Sequence, residues 1–338
     1  MSRRPDSIAC GKKQTRREFM RAAAALAAVG ASGTSAWTQG ATMPPGPWSI
    51  IIPTASGGQA DVVSRLIGNK MVETLGRPLV IEAKPGAGGL FSGQYVAKAE
   101  PNGSTLLFVT GAHSILPGIH RATINFDAVK DFEFISTIST VSFIISSAPG
   151  FAAKTFPQLI ELSKTAPETV SYSTVGPGST HHLIGEVLQK TFGVKWTHVP
   201  YKGGATGVLD VAAGRVSIAI DTPVTTLPLV QSGTLRPLAV SQAPRMPQLP
   251  DVPAVSEFSA GLNVGTYLGL AAPARTPKPI VDLLNRAMVV AVADPTVQQR
   301  LNAIGSTPQS STPEAFTQRV ASDVQRWTAL ITELNISN

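Results

Sequence analysis

Apolar residues follow two alternating spacings along the first third of the chain. In some segments they form short continuous runs with the length of buried strands. Between those runs they recur every three or four residues, as on one face of a helix. Strand and helix in alternation predict a parallel α/β sheet. The predicted strands are residues 49–53, 79–83 and 105–110, and the predicted helices are residues 62–75, which Gly76 ends, and 92–99.

A second set of alternating elements begins near residue 143. Its apolar runs are again short, and segments of helical spacing fill the intervals between them. A chain of 338 residues is long enough for two lobes of ordinary domain size. The predicted strands are residues 143–147, 170–174, 196–199, 216–220 and 237–241, and the predicted helices start near Thr155, Ser179, Gly204 and Thr222.

The C-terminal part of the chain contains a proline-rich segment, then a strand, then helices. Residues 242–253 are rich in proline and predict an irregular connection. An apolar strand at residues 266–271 then precedes two or three helices, the last of which starts at Thr312 with proline at its first helical position. We find no flexible spacer between the two sets, as expected if strands cross directly from one lobe to the other.

Three glycine-rich loops each follow a predicted strand and precede a predicted helix, at residues 54–61, 85–89 and 174–180. In a parallel sheet such loops lie at the carboxyl ends of the strands, where ligands bind. The free N–H groups at a helix start favour an anion. Each loop alone could be a tight connection, but one in each predicted lobe makes anion binding the stronger interpretation.

Other chemistries fit the sequence less well. The loops match neither common phosphate-binding motif, so nucleotide binding is a poor fit. His181 and His182 are adjacent and would point about 100° apart on a helix, which does not suit a shared metal ion. We therefore expect no cofactor and no metal. Ser179 with His182 leaves a hydrolase as an alternative, although no third orienting group is evident.

The positive charge of the chain is concentrated at its start. The formal net charge is +7, and residues 1–40 hold seven Lys or Arg against two acidic residues, so the remainder is nearly neutral. We find no basic stripe interleaved with aromatics in that remainder, and nucleic-acid binding is not expected. Cys10, the one cysteine, lies in the same segment, so a processed chain would form no disulfide.

Residues 1–40 resemble a twin-arginine export signal. Arg16 and Arg17 are followed by the apolar Phe19, then by an alanine-rich stretch at residues 22–31 and small residues up to Gly40. The apolar stretch is too short for a membrane anchor. An amphipathic helix of the folded domain is the alternative. The signal interpretation predicts a periplasmic protein that the twin-arginine machinery exports.

Several blocks of sequence, taken together, resemble the Bug family, the periplasmic receptors of tripartite tricarboxylate transporters. The blocks occur in the order of the family and cover nearly all of the chain after residue 48. They are residues 52–61 (Ile-Pro-Thr-Ala-Ser-Gly-Gly-Gln-Ala-Asp), 84–89 (Lys-Pro-Gly-Ala-Gly-Gly), 97–103, 129–132, 176–183 (Gly-Pro-Gly-Ser-Thr-His-His-Leu), 198–203 (His-Val-Pro-Tyr-Lys-Gly), 249–253 and 271–277.

This resemblance implies a fold and a division into domains. The fold class is α/β, a two-lobed periplasmic binding protein of type II topology with two crossing strands as hinge. We place the crossings near residues 135–143 and 262–270. Lobe one then comprises residues 41–141 and 263–338, and lobe two residues 142–262. The resemblance also implies that the C-terminal helices return to lobe one.

The resemblance further implies a binding site between the lobes. Family members bind small carboxylates, and loops from both lobes hold one carboxylate group through backbone atoms and ordered water. Asp61 also reads as a brace for its loop, and Asp221 also reads as a cap for the helix that follows. Carried over by position, the ligand-binding residues are Ala55, Ser56, Gly57, Gly58 and Asp61 in lobe one, and Thr174, Gly178, Ser179, Thr180 and Asp221 in lobe two.

Three positions depart from the usual family pattern and leave the ligand open. Ser56 stands where Ala or Pro is common, Thr222 replaces an Asn, and His181 occupies a place usually held by a small hydroxyl residue. We add His181 to the candidate site. Its imidazole could donate to, or when protonated pair with, a second polar or anionic group of the ligand, which predicts tighter binding toward pH 6. The alternative is that His181 faces solvent.

The leading functional hypothesis is a non-catalytic, monomeric binding protein. It would capture a small carboxylate and deliver it to the membrane permease subunits of a tripartite tricarboxylate transporter. Two alternatives differ in class. One is a receptor that presents the same ligand to a sensor kinase, and the other is the hydrolase built on Ser179 and His182.

Overall fold

A computed structural model describes residues 42–167, 169–201, 203–333 and 336. The predicted signal segment, with Arg16 and Arg17, lies outside the described residues, and the twin-arginine interpretation therefore stays a prediction. The described part of the chain contains two β-sheets with helices between their strands. Within these ranges no helix combines the length and the apolar character needed to cross a membrane.

The sheet of lobe one has six strands. They are β1 (Trp48–Ile52), β2 (Leu79–Ala83), β3 (Thr105–Thr110), β4 (Phe132–Val141), β10 (Thr266–Pro273) and β11 (Ser306–Pro308). Their order is β11-β4-β10-β3-β1-β2. Strands β2 and β3 are parallel to β1, as predicted, but β10 is antiparallel to β3 and β4. The prediction of a parallel sheet is confirmed for β1, β2 and β3, the strands of the first third of the chain. Strand β10 is antiparallel because the chain leaves the lobe at the end of β4 and returns in β10.

Helices flank this sheet on both faces. They are α1 (Gln59–Leu75), α2 (Leu90–Ala97), α3 (Leu116–Ile119), α8 (Lys278–Ala293), α9 (Pro295–Ala303) and α10 (Pro313–Glu333). Gly76 ends α1 in the left-handed conformation, with φ 64°, as the sequence predicted. Thr312 caps the start of α10, where its Oγ1 accepts the N–H of Ala315 at 3.2 Å. One apolar core lies between the sheet and α1 and α8, and a second lies under α2 and the first turns of α10.

The sheet of lobe two has five strands with a mixed pattern like that of the first. They are β5 (Ile144–Ser147), β6 (Ser171–Thr174), β7 (Thr197–Pro200), β8 (Ile218–Asp221) and β9 (Arg236–Val240), and the helices are α4 (Phe156–Thr165), α5 (Thr180–Phe192), α6 (Gly204–Ala212) and α7 (Pro223–Gln231). The order is β7-β6-β8-β5-β9, with β6 parallel to both β7 and β8 and with β5 antiparallel to its neighbours.

The chain crosses twice between the sheets, and the first crossing is shorter than predicted. Strand β4 pairs with β10 up to Val141, so the first crossing is confined to Ser142 and Phe143. Ser241 joins the two crossings, because its Oγ accepts the N–H of Phe143 at 2.9 Å and its carbonyl accepts the N–H of Val264 at 3.0 Å. The positions of the crossings are those of the predicted hinge, and the precise lobe boundaries at 141/142 and 262/263 stay predictions.

The C-terminal helix α10 packs along lobe one and reaches lobe two with its last turns. Trp327 and Ile331 belong to the same apolar cluster as residues of α5 such as Leu183. Lys190 of α5 forms an ion pair with Glu333 at the end of α10. The return of the C-terminal helices to lobe one, which the family resemblance implied, is therefore accompanied by a direct contact with the other lobe.

Candidate functional site

The loop that follows β1 forms the first part of the candidate site. Ala55, Ser56 and Gly57 are exposed, and Gly58 begins α1 in an extended conformation. Gly57 has a φ of 88°, a conformation that residues with a Cβ rarely adopt. The loop therefore presents its backbone to solvent at the carboxyl end of a parallel strand, the edge where α/β proteins bind ligands.

Asp61 holds this loop from behind. Its Oδ2 accepts the N–H of Gly57 at 2.8 Å, and its Oδ1 pairs with Nε of Arg65 at 2.8 Å. Burial acts to raise the pKa of Asp61, but the Gly57 hydrogen bond and the Arg65 guanidinium outweigh it and hold that pKa below its usual value. Both carboxylate oxygens are thus engaged within lobe one, as the bracing interpretation expects.

The loop at residues 85–89 supports the first loop. Gly86, Gly88 and Gly89 all have positive φ angles. A Cβ on Gly89 would lie 3.2 Å from Cβ of Pro53, which directly precedes the first loop. The two glycine-rich loops of lobe one are thus neighbours, and the third predicted loop, residues 174–180, lies in lobe two.

The loop between β6 and α5 forms the second part of the site; within it Gly178 and Ser179 are buried, whereas Pro177 is exposed. Oγ of Ser179 donates to the carbonyl of Gly176 at 2.6 Å and accepts the N–H of His182 at 3.2 Å, as the N-terminal cap of α5. The N–H of Gly176 donates to Oγ1 of Thr174 at 3.1 Å, and that of Gly178 to Nδ1 of His182 at 3.2 Å.

These hydrogen bonds separate the engaged donors from the available ones. The N–H of Gly178 and the hydroxyl of Ser179, both predicted ligand donors, are used inside the loop. The N–H groups of Thr180 and His181 lie in the first turn of α5, where an α-helix supplies no acceptor. A helix start with unpaired N–H groups is an anion-binding arrangement, so Thr180 and His181 are the strongest donors of this loop.

His181 and Asp221 lie close together beneath the loop. Nε2 of His181 is 3.6 Å from Oδ1 of Asp221, and its ring meets Phe143 of the first crossing edge to face, with 4.8 Å between centroids. Its Nδ1 is buried and has no hydrogen-bond partner among the described residues. His181 does not lie on the outer face of its helix, since only 13% of its side chain is exposed.

Asp221 behaves as a cap for α7. Its Oδ1 accepts the N–H of Thr222 at 2.6 Å and the hydroxyl of Thr225 at 2.8 Å. Its Oδ2 lies against Gly204, where a Cβ would collide with the carboxylate. Oδ1 therefore acts as the cap that the sequence offered as an alternative, and a ligand contact of Asp221 stays a prediction.

The hydrolase alternative finds no support in the geometry. The hydroxyl of Ser179 donates to the Gly176 carbonyl rather than to an imidazole, and Nδ1 of His182 accepts the Gly178 N–H. Nε2 of His182 faces Glu186, 3.6 Å from its Oε1. A serine activated for attack needs a base within hydrogen-bond reach of its hydroxyl, and here both groups serve the shape of the loop.

The remaining histidines show which residues the sequence analysis missed. His198, on β7, stacks on His182 with 4.2 Å between ring centroids, and its Nε2 is 2.6 Å from Oγ1 of Thr174. The sequence placed His198 in a family block but assigned it no role. His113 is buried among phenylalanines, and burial lowers its pKa to about 4 despite its bond to the Ala128 carbonyl. Within the described ranges, no group of three or more His, Cys, Asp or Glu is placed to hold a metal ion.

Comparison with known proteins is consistent with this architecture. Residues 63–336 match the tripartite tricarboxylate transporter family receptor (TctC). An Agrobacterium vitis UPF0065 protein from the TAR-I ttuE-ttuC' intergenic region is 33% identical over 294 residues, 86% of this chain and 85% of that protein. Two solved structures cover 87% of this chain: the periplasmic binding protein BugD (TM-score 0.79, 31% identity, 100% of that chain) and an R. palustris protein with adipate (TM-score 0.80, 30% identity, 99% of that chain). The chain therefore belongs to the TctC family of tripartite tricarboxylate transporter receptors, the family that includes the Bug proteins.

Proposed function

We propose that this protein captures a small carboxylate between its two lobes and delivers it to the membrane permease subunits of a tripartite tricarboxylate transporter. Residues 1–40 direct the precursor to the twin-arginine machinery, and the processed protein works in the periplasm as a monomer. Adipate, bound in a related structure, represents the class of ligand: a small molecule with at least one ionised carboxylate.

The observation that carries the proposal is the start of α5. The N–H groups of Gly176, Gly178 and His182 are hydrogen-bonded inside the loop. The N–H groups of Thr180 and His181 lie in the first helical turn and are available to a ligand. The positive end of the helix dipole lies at the same place. A carboxylate needs no lysine or arginine there, because two N–H groups can bind its two oxygens.

The contact between the lobes supports a ligand held from both sides. Gly178 of the lobe-two loop lies against Ile119 of α3, which belongs to the first lobe. The lobe-one clamp, Ala55 to Gly58, is at the carboxyl end of β1, and the lobe-two clamp is at the carboxyl end of β6. A ligand that contacts both stabilises the closed arrangement by its additional contacts there.

A substitution at Thr180 tests the role of its N–H group. Proline is favoured at the first position of a helix, and Ser179, with φ −73° and ψ 158°, already has the conformation that a following proline requires. Thr180→Pro therefore removes the donor with little change of backbone. Thr180→Val is the matched control, because it removes only the hydroxyl and keeps the N–H.

Calorimetry with adipate, succinate and malate measures the effect. We expect wild-type protein to bind at least one of them, Thr180→Val to lose less than Thr180→Pro, and Thr180→Pro to lose roughly tenfold in affinity, about the effect of one charge-assisted hydrogen bond. If neither these nor a wider set of carboxylates raises the thermal midpoint of the wild type, carboxylate capture is wrong, because a ligand of the folded state must stabilise it.

A further inference from the structure

Two stacked imidazoles lie directly behind the lobe-two loop. The rings of His182 and His198 are 4.2 Å apart and inclined by only 20°. Tyr172 of β6 also stacks on His198, with 5.1 Å between ring centroids. The three rings come from α5, β7 and β6, all in lobe two.

The hydrogen bonds of His182 fix its protonation state. A backbone N–H can only donate, so Nδ1 of His182 must accept from Gly178 with an unprotonated nitrogen. The ring is then neutral, with its proton on Nε2, which faces Oε1 of Glu186 at 3.6 Å. That oxygen also accepts from the hydroxyl of Tyr172 at 2.8 Å and from Nε2 of Gln189 at 2.9 Å.

His198 reaches the same loop through Thr174. Oγ1 of Thr174 accepts the N–H of Gly176 at 3.1 Å, which leaves its hydroxyl proton free to donate to Nε2 of His198 at 2.6 Å. The two glycine N–H groups of the loop therefore depend on the two imidazoles, Gly178 directly and Gly176 through one hydroxyl.

The surroundings favour the neutral rings at neutral pH. Burial lowers the pKa of His182. Burial and then the neighbouring His182 lower the pKa of His198 to about 4, against the opposing charge of Glu186. The charged group that faces the two rings is Glu186 from α5. The side chains of β6 near the rings are Tyr172 and Thr174, and the two histidines face each other.

We propose that His182 and His198 are positioning residues that hold the lobe-two clamp in its carboxylate-binding shape only while both rings are neutral, so that acidification opens the loop and releases the ligand. A proton on Nδ1 of His182 would face the N–H of Gly178, donor against donor. A second charge on His198, one ring spacing away, adds like-charge repulsion. The loop then loses the bonds that orient the first turn of α5.

The release of ligand rests on the proposed function, but the state of the rings can be tested without any ligand. In ligand-free protein, the ¹⁵N shifts of the His182 ring should show a proton on Nε2 and none on Nδ1 at pH 7. The amide signals of Gly176 and Gly178 should move together with the titration of the rings on acidification. The proposal would be overturned, whatever the protein binds, by a proton on Nδ1 of His182 at pH 7. It would also be overturned if the amide shifts of Gly176 and Gly178 did not change as the rings titrate.

Two substitutions of His182 test whether its ring supports ligand binding. His182→Asn places an amide oxygen where Nδ1 stands and does not titrate, whereas His182→Leu removes the acceptor. With adipate as the probe, we expect His182→Leu to weaken binding at pH 7 by tenfold or more and His182→Asn to recover most of that loss. Titration of the ligand itself cancels in the ratio of wild-type to His182→Asn dissociation constants.

That ratio should rise at least threefold as the pH is lowered from 7 to the point where the His182 ring shifts show a charged imidazole, because only the wild type carries the titrating ring. A flat ratio overturns the role of His182 while leaving carboxylate capture intact. If wild type and both variants bind no adipate at any pH, adipate is not a ligand of this protein, and the ring shifts alone then decide the positioning role.

Discussion

Gly178 of the second lobe lies directly against Ile119 of the first. A Cβ built on Gly178 would lie 2.9 Å from Cγ2 of Ile119, closer than a carbon atom can approach without displacement. Gly178 also has a φ of 69°, so a side chain at this position meets both backbone strain and a neighbour across the lobes. The absence of a side chain at residue 178 is what lets the binding loop touch the other lobe.

Gly178→Ala should therefore weaken carboxylate binding. The left-handed conformation costs a residue with a Cβ about 1–2 kcal/mol, and displacement of Ile119 adds to it, so we expect the dissociation constant for adipate to rise roughly tenfold or more. Adding Ile119→Ala to the Gly178→Ala variant should restore the part of the adipate affinity that is lost through the contact with Ile119. Gly193→Ala is the control, since Gly193 has a φ of 64° but nothing within 4 Å, and it should lower stability without weakening binding.

Ligand should also change the distance between the lobes. The lobes are joined by two crossings, and they touch where Gly178 meets Ile119 and where Lys190 pairs with Glu333. A ligand bound by both loops favours this closed arrangement. Small-angle scattering should show a smaller radius of gyration with saturating adipate than without it. An unchanged radius at saturation would count against a hinged clamp.

The alternation of apolar runs and helical spacing predicted most elements to within one or two residues, because their ends carry strong local signals. Gly76 ends α1, and Thr155, Ser179 and Thr222 stand immediately before α4, α5 and α7. Strand direction could not be predicted in the same way. Whether β4 and β10 run with or against their neighbours depends on where the chain crosses between lobes, and no residue pattern within a strand records that.

The candidate site was predicted in part. The glycine-rich loops predicted where the backbone could come near a ligand, and the family resemblance placed their residues in two lobes. Which donors are free could not be read from the sequence, because it depends on contacts such as that of Gly178 with His182 and of Thr174 with His198, 24 residues away. Strand β11 was missed for a related reason, since three residues are too few to show a period.

His113 should make the folded protein less stable in mild acid. The unfolded chain takes up a proton at its His113 near pH 6.5, whereas burial delays that in the folded protein until about pH 4. The folded state therefore binds fewer protons in this window, and its stability falls as the pH falls. Between pH 7 and pH 5 this one residue contributes a loss of about 2 kcal/mol.

Urea unfolding at pH 7 and pH 5 measures this loss. His113→Gln keeps a donor for the carbonyl of Ala128 but does not titrate, so the stability of this variant should fall by about 2 kcal/mol less than that of the wild type between the two pH values. Equal losses in both proteins would show that His113 is not the group responsible. Ligand-free protein is used for both, so that binding does not enter the comparison.

The export prediction rests on Arg16 and Arg17. Replacing both with lysine keeps the charge but removes the paired guanidinium groups, and we expect the precursor to remain in the cytoplasm. Arg3 and Arg4 form a second adjacent pair in the same segment, so their replacement with lysine is a matched control that should leave export unchanged. Immunoblots of periplasmic and cytoplasmic fractions measure the outcome, and normal periplasmic levels of the Arg16/Arg17 variant would refute the twin-arginine route.

His181 should select for a second polar group on the ligand. It follows Thr180 in the first turn of α5, its Nδ1 is buried without a hydrogen-bond partner among the described residues, and its Nε2 lies 3.6 Å from Oδ1 of Asp221. An unpaired buried nitrogen is costly, so a ligand group that reorients the ring and pairs with it gains affinity.

A dicarboxylate such as adipate brings a second carboxylate that this imidazole can bind. We expect His181→Ser to lose roughly tenfold in affinity for adipate, about one charge-assisted hydrogen bond, and much less for the monocarboxylate hexanoate. A variant that keeps the wild-type affinity for adipate would show that selectivity comes from other residues of the cleft.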